Sequence, residues 1–215
     1  MNNVTNVDDS WYRDVTGFAQ HTQWLVGTMS LLTVLLIAVL ALMVLGAGWR
    51  AWRTDDRVRL AAVAWTAVGC GICIACGLLL KQVFREARPC LALPHVTTVQ
   101  ACPGPTDYSF PSDHTIMAAA LAAGLWLIDR RLGVIGAALA LFDGFTRVYL
   151  GQHYPHDVIA ALILSSLIIL GGWRFARTPL LRLELRLLGS RSAPAEEGDG
   201  LVAHSARGAN DQAGS

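Results

Sequence analysis

"FPSDHTIMAAALAAGLWLIDRR", residues 110–131, sets a proline, a serine, an aspartate and a histidine directly against an uncharged run that ends at Asp129, Arg130 and Arg131. Ionisable groups are costly at the mouth of a membrane-like segment and usually mark function there. The composition says that the segment is membrane-like: of 215 residues 53% are hydrophobic and 15% charged, with a mean hydropathy of +0.43, far from a soluble domain. Residues 22–49 and 60–80 carry no charged side chain over at least the ~20 residues that a span requires. Three further runs, 115–128, 132–142 and 158–173, are shorter, and each abuts polar residues. Alone, the first two read equally as buried core helices. Arg130-Arg131 is a natural cytoplasmic turn between them, which makes all three runs spans. The expectation is an all-α, multi-pass membrane helical bundle of about five transmembrane helices, with Asp113, His114, Asp143, Arg147, His153 and Asp157 in their outer turns.

Basic residues beside the spans set the orientation. Eleven arginines fall between spans one and two, between three and four, and after five, against five basic residues on the other side. The N-terminus and the loop 81–111 are therefore expected outside, in a cell membrane. Residues 1–23 form an external segment that reads either as an interfacial helix anchored by Trp11 and Trp24 or as a disordered tail. The first span is too long for a cleaved signal and reads as a retained anchor. Residues 24–189 form the membrane domain, and 190–215, rich in Ser, Ala, Gly and acidic residues, read as a disordered cytoplasmic tail. Nucleic-acid binding has no support, because the arginines flank spans and the net charge is only +1.

Three outward stretches carry the chemistry. In "KQVFREARP", Lys81 and Arg88 stand seven residues apart, which places them along one helix face before Pro89 stops the helix. Taken alone, they could equally be basic side chains snorkelling at a span end. Pro111-Ser112-Asp113 reads as a helix start with Ser112 or Asp113 as N-cap, and such a start binds phosphate. A plain cap explains Ser112 and Asp113 but leaves His114 unexplained. In "TRVYLGQHYPHDV", His153 and Asp157 are four apart and can face each other, while Arg147 adds a fixed cation. A lone His–Asp pair is often only a satisfied polar contact, but three cations, two histidines and an aspartate converging from three helix ends are harder to dismiss.

Together these stretches resemble the type 2 phosphatidic acid phosphatase superfamily, which is similar to the vanadium haloperoxidases and the bacterial acid phosphatases. A lysine separated by six residues from Arg-Pro is here Lys81 with Arg88-Pro89; Pro-Ser-Gly-His is Pro111-Ser112-Asp113-His114; and Ser-Arg, five residues, His, three residues, Asp is Thr146-Arg147, His153 and Asp157. The resemblance covers roughly residues 60–173. Thr146 departs mildly from the pattern. Asp113 departs more, because a carboxylate repels phosphate unless a cation or proton intervenes. The Pro-Ser-Asp-His form resembles the subgroup that hydrolyses undecaprenyl diphosphate.

The resemblance implies that His153 attacks phosphorus with Asp157 orienting it, that Lys81, Arg88 and Arg147 neutralise the phosphoryl oxygens, and that His114 protonates the leaving oxygen and then activates water. Ser112 and Asp113 complete the substrate-binding set. No metal or cofactor is implied. Placing a metal on His153, His156 and Asp157 beside Lys81, Arg88 and Arg147 would be electrostatically poor; His156 is expected to line the rim, and Asp143 to pair with Arg147 one turn on. The expected partner is a membrane lipid phosphate or diphosphate. Alternatives are a phosphatidate or phosphatidylglycerophosphate phosphatase, or a non-catalytic protein that binds lipid phosphate. Cys70, Cys73 and Cys76 read as small apolar residues in span two. Cys90 and Cys102 both fall in the external loop, where an oxidising compartment permits a disulfide that would close the loop between the first two motifs.

Overall fold

An uncharged stretch in lipid can satisfy its backbone only by forming helix or closed barrel, and this chain forms helix. The computed structural model describes residues 2–189 apart from Pro94 and Thr97; the expected tail at 190–215 lies outside the described residues. In chain order the helices are α1 (Asn2–His21), α2 (Val26–Arg53), α3 (Arg57–Phe84), a single turn α4 (Pro89–Ala92), α5 (Asp113–Ile128), α6 (Arg130–Tyr149), α7 (Pro155–Ser166) and α8 (Gly172–Gly189). A short turn, Gln23–Leu25, leads into α2, and a widened turn, Leu167–Gly171, joins α7 to α8. There Trp65 Nε1 donates to Ile169 O at 2.9 Å, so the widened turn keeps a partner.

Among the described residues four helical stretches are long and apolar enough to cross a membrane: Gln23–Arg53, Arg57–Ala92, Arg130–Tyr149 and Pro155–Leu183. The fifth expected span, α5, is a shorter apolar helix and forms the axis of the bundle. It packs on α2, α3, α6 and α7, and Thr115, Ile116 and all residues from Ala118 to Leu125 are buried. Small side chains inside and large ones outside, Leu42, Leu45, Leu79, Ile163 and Leu167 among them, are the arrangement lipid favours, since close backbone approach replaces the hydrophobic drive of water.

The α5–α6 connection is as tight as its sequence suggested. Asp129 ends one helix and caps the next, accepting from Arg131 N at 2.8 Å and Leu132 N at 3.3 Å. A Cβ on Gly133 would lie 2.5 Å from Trp126 Cα, so glycine is what lets the two helices meet there.

The N-terminal segment is helical, with Trp11 and Trp24 exposed. It also does something the sequence did not announce. Tyr12 is fully buried and donates to Gly151 O at 3.0 Å, which fastens α1 to the turn between α6 and α7.

Candidate active site

Four loop-to-helix transitions, all at the end of the bundle opposite Asp129, build the site. One expectation about the first is corrected. Lys81 and Arg88 do not share a helix: α3 ends at Phe84, because Arg85 takes the left-handed conformation (φ 48°) as its C-cap. Pro89 does not stop that helix but starts the single turn α4, with Arg88 extended in front of it. The two cations converge through the loop instead. Arg88 donates from Nε to Asp107 O (2.9 Å) and from Nη2 to Asp107 Oδ1 (3.0 Å), while Lys81 Nζ lies 3.9 Å from the same carboxylate. Burial alone would raise the Asp107 carboxyl, but the Arg88 hydrogen bond and the two cations outweigh it and hold its pKa below the usual range. Cys90, two residues beyond Arg88, is disulfide-bonded to Cys102 with Cα atoms 6.0 Å apart, so the loop is closed where it carries Arg88. Cys73 is a free, buried thiol among apolar neighbours, with Cys70 and Cys76 free and half-buried.

At the second transition Ser112 is the N-cap of α5, though its hydroxyl accepts from Thr115 Oγ1 (3.2 Å) instead of capping a backbone N–H. Asp113 is the first helical residue and pairs with Lys81, Oδ2 to Nζ 2.9 Å. Lys81 also donates to Tyr108 O at 2.9 Å, so it is buried yet fully engaged. His114, half-buried, sits within electrostatic reach of Arg147, His153, Asp113 and Arg88.

The third and fourth transitions flank one five-residue turn, 150–154. Gly151 takes φ +75°, and a Cβ there would lie 2.7 Å from Thr98 Cγ2, so the turn that presents His153 requires glycine. Because α7 begins only at Pro155, His153 and Asp157 are not stacked on a common helix as their spacing suggested; the turn brings them together. Asp157 Oδ2 accepts from Tyr154 N at 2.9 Å and faces His153 Nδ1 at 3.3 Å, and Ser109 Oγ donates to the same oxygen. On the other side of the ring, Arg88 Nη1 lies 3.2 Å from His153 Nε2. A guanidinium has only donors, so Nε2 accepts and the ring hydrogen sits on Nδ1, toward Asp157. Burial pushes the His153 pKa down to about 4 against the pull of Asp157, with Arg88 and Arg147 adding to the fall. At neutral pH the ring is therefore uncharged, with its Nε2 lone pair turned toward the cations.

Arg147 is buried, and its Nε has no hydrogen-bond partner. The expected pairing with Asp143 is corrected: among the described residues no ion pair joins them, and Asp143 faces α2, where Thr33 Oγ1 donates to its Oδ1 at 3.4 Å. The helical spacing was right, but the carboxylate turns toward the neighbouring helix. His156 stands near the rim as expected, but Asp8, Glu86 and Asp157 surround it. The three-residue group with metal-ligand spacing among the described residues is accordingly Glu86, His156 and Asp157, without His153.

Sequence reasoning missed Asp8, Tyr12, Glu86, Asp107 and Ser109. None is a defining position of a spaced motif, although Glu86 lies between Lys81 and Arg88, and the loop 98–111 that brings Asp107 and Ser109 to the site has no periodicity. An open groove of about 690 Å³ runs from Ala75, Leu78 and Leu79 on the lipid-facing side of α3 to Lys81, Asp107 and Asp113. Its apolar length and charged end suit a lipid head group.

Known proteins share both the fold and the sequence pattern. A transmembrane PAP2-type phosphatidylglycerolphosphate phosphatase from Bacillus subtilis superposes with a TM-score of 0.60 at 20% identity, covering 81% of this chain and 87% of that one. A curated relative, undecaprenyl-diphosphatase BcrC of Bacillus subtilis (strain 168), is 32% identical over 80% of this chain and 84% of its own length. An undecaprenyl-diphosphatase of Sulfolobus acidocaldarius is 35% identical over 44% of this chain and 46% of its own length. The sequence profile of the PAP2 superfamily matches residues 60–179, which span the helix ends that carry Lys81, His114, Arg147 and His153. The chain therefore belongs to the PAP2 superfamily, and it is a membrane lipid phosphatase.

Proposed function

We propose that the chain hydrolyses a polyprenyl diphosphate of the undecaprenyl type to the monophosphate, through a phosphohistidine at His153, on the extracytoplasmic face of the membrane. The observation that carries the mechanism is the neutral, buried His153, its Nδ1 facing Asp157 and its Nε2 turned to Arg88. The substrate class is supported by the Lys81–Asp113 pair and by the likeness to BcrC. The face is supported by the arginine asymmetry. On this reading residues 24–189 are the phosphatase domain, with 1–23 lying external against it.

In the reaction the terminal phosphoryl oxygens take over the hydrogen bond that Arg88 makes to Nε2, which frees the lone pair. Nε2 forms a bond to the terminal phosphorus as the bridging P–O bond breaks, and His114 donates its proton to the departing lipid monophosphate. Arg88, Arg147 and Lys81 neutralise the three equatorial oxygens, the electrostatic contribution that dominates phosphoryl transfer. Water then loses a proton to His114 and attacks the same phosphorus. The P–N bond breaks, releasing inorganic phosphate and restoring neutral His153. Asp157 holds the Nδ1 hydrogen throughout.

Asp113 draws Lys81 toward the outer edge of the site, where the second phosphate of a diphosphate would contact it. The test is phosphate release by purified protein in detergent with a metal chelator, on polyprenyl diphosphates, polyprenyl phosphates and diacylglycerol phosphates mixed in the same micelles. The expected result is preferential hydrolysis of the diphosphate, with the preference reduced in Asp113→Gly. Preference for diacylglycerol phosphate would overturn the polyprenyl assignment, and an unchanged preference in the variant would remove Asp113 from it.

A further inference from the structure

The proposed reaction leaves His156 without a task, although its surroundings are among the most elaborate in the molecule. Its ring is stacked between Phe110 (centroids 5.7 Å, planes 26° apart) and Tyr154 (5.4 Å, 21°). Nδ1 lies 2.8 Å from Asp8 Oδ2, and the backbone N–H of the same residue donates to Asp8 Oδ1 at 3.0 Å. Nε2 lies 3.2 Å from Glu86 Oε2 and 3.2 Å from Asp157 Oδ1.

Ionised carboxylates only accept hydrogen bonds. A neutral imidazole would turn one bare lone pair onto a carboxylate, so both nitrogens carry hydrogen and the ring is an imidazolium. Two aromatic faces favour a cation between them. Three carboxylates from α1, the α3–α4 loop and α7 converge around it, an arrangement that repels itself without a cation at its centre.

The consequence falls on Asp157, which is fully buried. Its Oδ2 serves Ser109, Tyr154 N and His153. Its Oδ1 has no hydrogen-bond partner, and His156 Nε2 lies 3.2 Å from it, at ion-pair distance but out of hydrogen-bond alignment. We propose that His156 is a positioning residue: as an imidazolium it holds the Asp157 carboxylate from the side opposite His153, and through Asp8 it makes helix α1 a working part of the site.

This inference rests on the phosphohistidine reading. Once Nε2 is bonded to phosphorus, the His153 ring is cationic and its Nδ1 hydrogen can pass to Asp157. The phosphoryl group leaves faster from the cationic ring than from the neutral one, because the departing nitrogen is then the better leaving group. A positive charge on Oδ1 lowers the basicity of Oδ2, keeps the hydrogen on Nδ1 and speeds the second step.

The test is His156→Gln in the full-length protein, which keeps a polar side chain and removes the charge. The expected result is a kcat about tenfold lower, equivalent to ~1.4 kcal/mol, with KM falling in step with it, as slowing of the second step alone requires. Phosphoenzyme trapped by alkaline denaturation should accumulate from terminally labelled diphosphate. The charged and titratable groups near His153 are Asp157, Asp107, Arg88, Arg147 and His114; removing one cation from this neighbourhood should move the acid limb of kcat/KM upward. Asp8→Asn should shift the same readouts less, and its effect on thermal unfolding should be non-additive with that of His156→Gln. A purely structural role would lower stability and leave the pH profile and phosphoenzyme level unchanged, which overturns the inference. So does a stoichiometric divalent metal in wild-type protein that is absent from His156→Gln, since His156 would then be a ligand. An inert wild type overturns the phosphohistidine reading and this inference with it. An active wild type whose variant behaves identically overturns this inference alone.

Discussion

The two ends of helix α5 spend their charge differently. At the Asp129 end the ion pairs are local and wet: Arg57–Asp55 (3.7 Å) and Arg59–Asp56 (3.4 Å) join residues two and three apart, and Asp129 caps the helix that follows it. Such pairs contribute ~0–1 kcal/mol each. At the Ser112 end, Lys81, Arg88, His153 and Asp157 are buried, and their partners lie on other elements, as with Lys81 and Asp113 or Arg88 and Gln152 O (2.9 Å). Buried charge of that kind is costly unless every group is engaged. One end is arranged for topology, the other to hold an anion, and substitutions should separate them.

The largest effect is expected from His153→Ala, which should reduce phosphate release by at least ~10³-fold, the scale seen when a nucleophile is removed. The detergent-solubilised protein should keep its helical circular dichroism, since the helices pack through apolar clusters that do not include His153. Retained turnover would remove His153 from its role.

Next is pH. Burial holds the His153 pKa at about 4, below its ordinary 6.5, so the ring remains neutral and nucleophilic as pH falls toward that value. The acid limb of kcat/KM should therefore fall near pH 4. The same depression makes stability highest above 6.5 and lowers it as pH drops from there through about 4, because the unfolded chain binds the proton first. An acid limb centred at 6.5 in both activity and unfolding would contradict the buried, neutral ring.

A smaller effect should follow from Cys90→Ser with Cys102→Ser. Closing a loop of this size contributes up to ~3 kcal/mol in the chain-entropy view. Thermal unfolding should shift down by several degrees, and turnover should fall a few-fold because Arg88 is less restrained. Reductant should reproduce both changes in wild type and neither in the variant. The smallest effect belongs to the opposite end. Asp129→Ala should lower the unfolding temperature slightly as a lost N-cap and leave kcat and KM unaltered. A change in kcat there would mean that the ends are coupled through α5.

The same contrast explains what the sequence made legible. The spans could be read because an uncharged run in lipid has one solution, and the convergence of Lys81, Arg88, Asp113, His114, Arg147, His153 and Asp157 could be read because their spacing repeats a known pattern. Asp107, Ser109, Glu86 and Asp8 could not, since they reach the site through loops and an N-terminal helix whose contacts span up to 148 residues. Two local rules misled. Pro89 reads as the stop of α3, whereas Arg85 in the left-handed region ends it four residues earlier. The spacing of Asp143 and Arg147 suggested a pair, whereas Asp143 turned to Thr33 on α2. Both were settled by tertiary context that a seven-residue window does not contain.

The groove between the outer face of α3 and Lys81 has a kinetic consequence. Because exposed apolar residues of α3, Leu78 and Leu79, line it beside Lys81 and Asp113, a lipid would arrive by sliding within its leaflet, so the concentration that matters is a surface density. Diluting the substrate with inert detergent at constant bulk concentration should slow the protein as competition for the groove would, whereas diluting the whole mixture with micelle composition held fixed should leave the rate per protein molecule nearly unchanged.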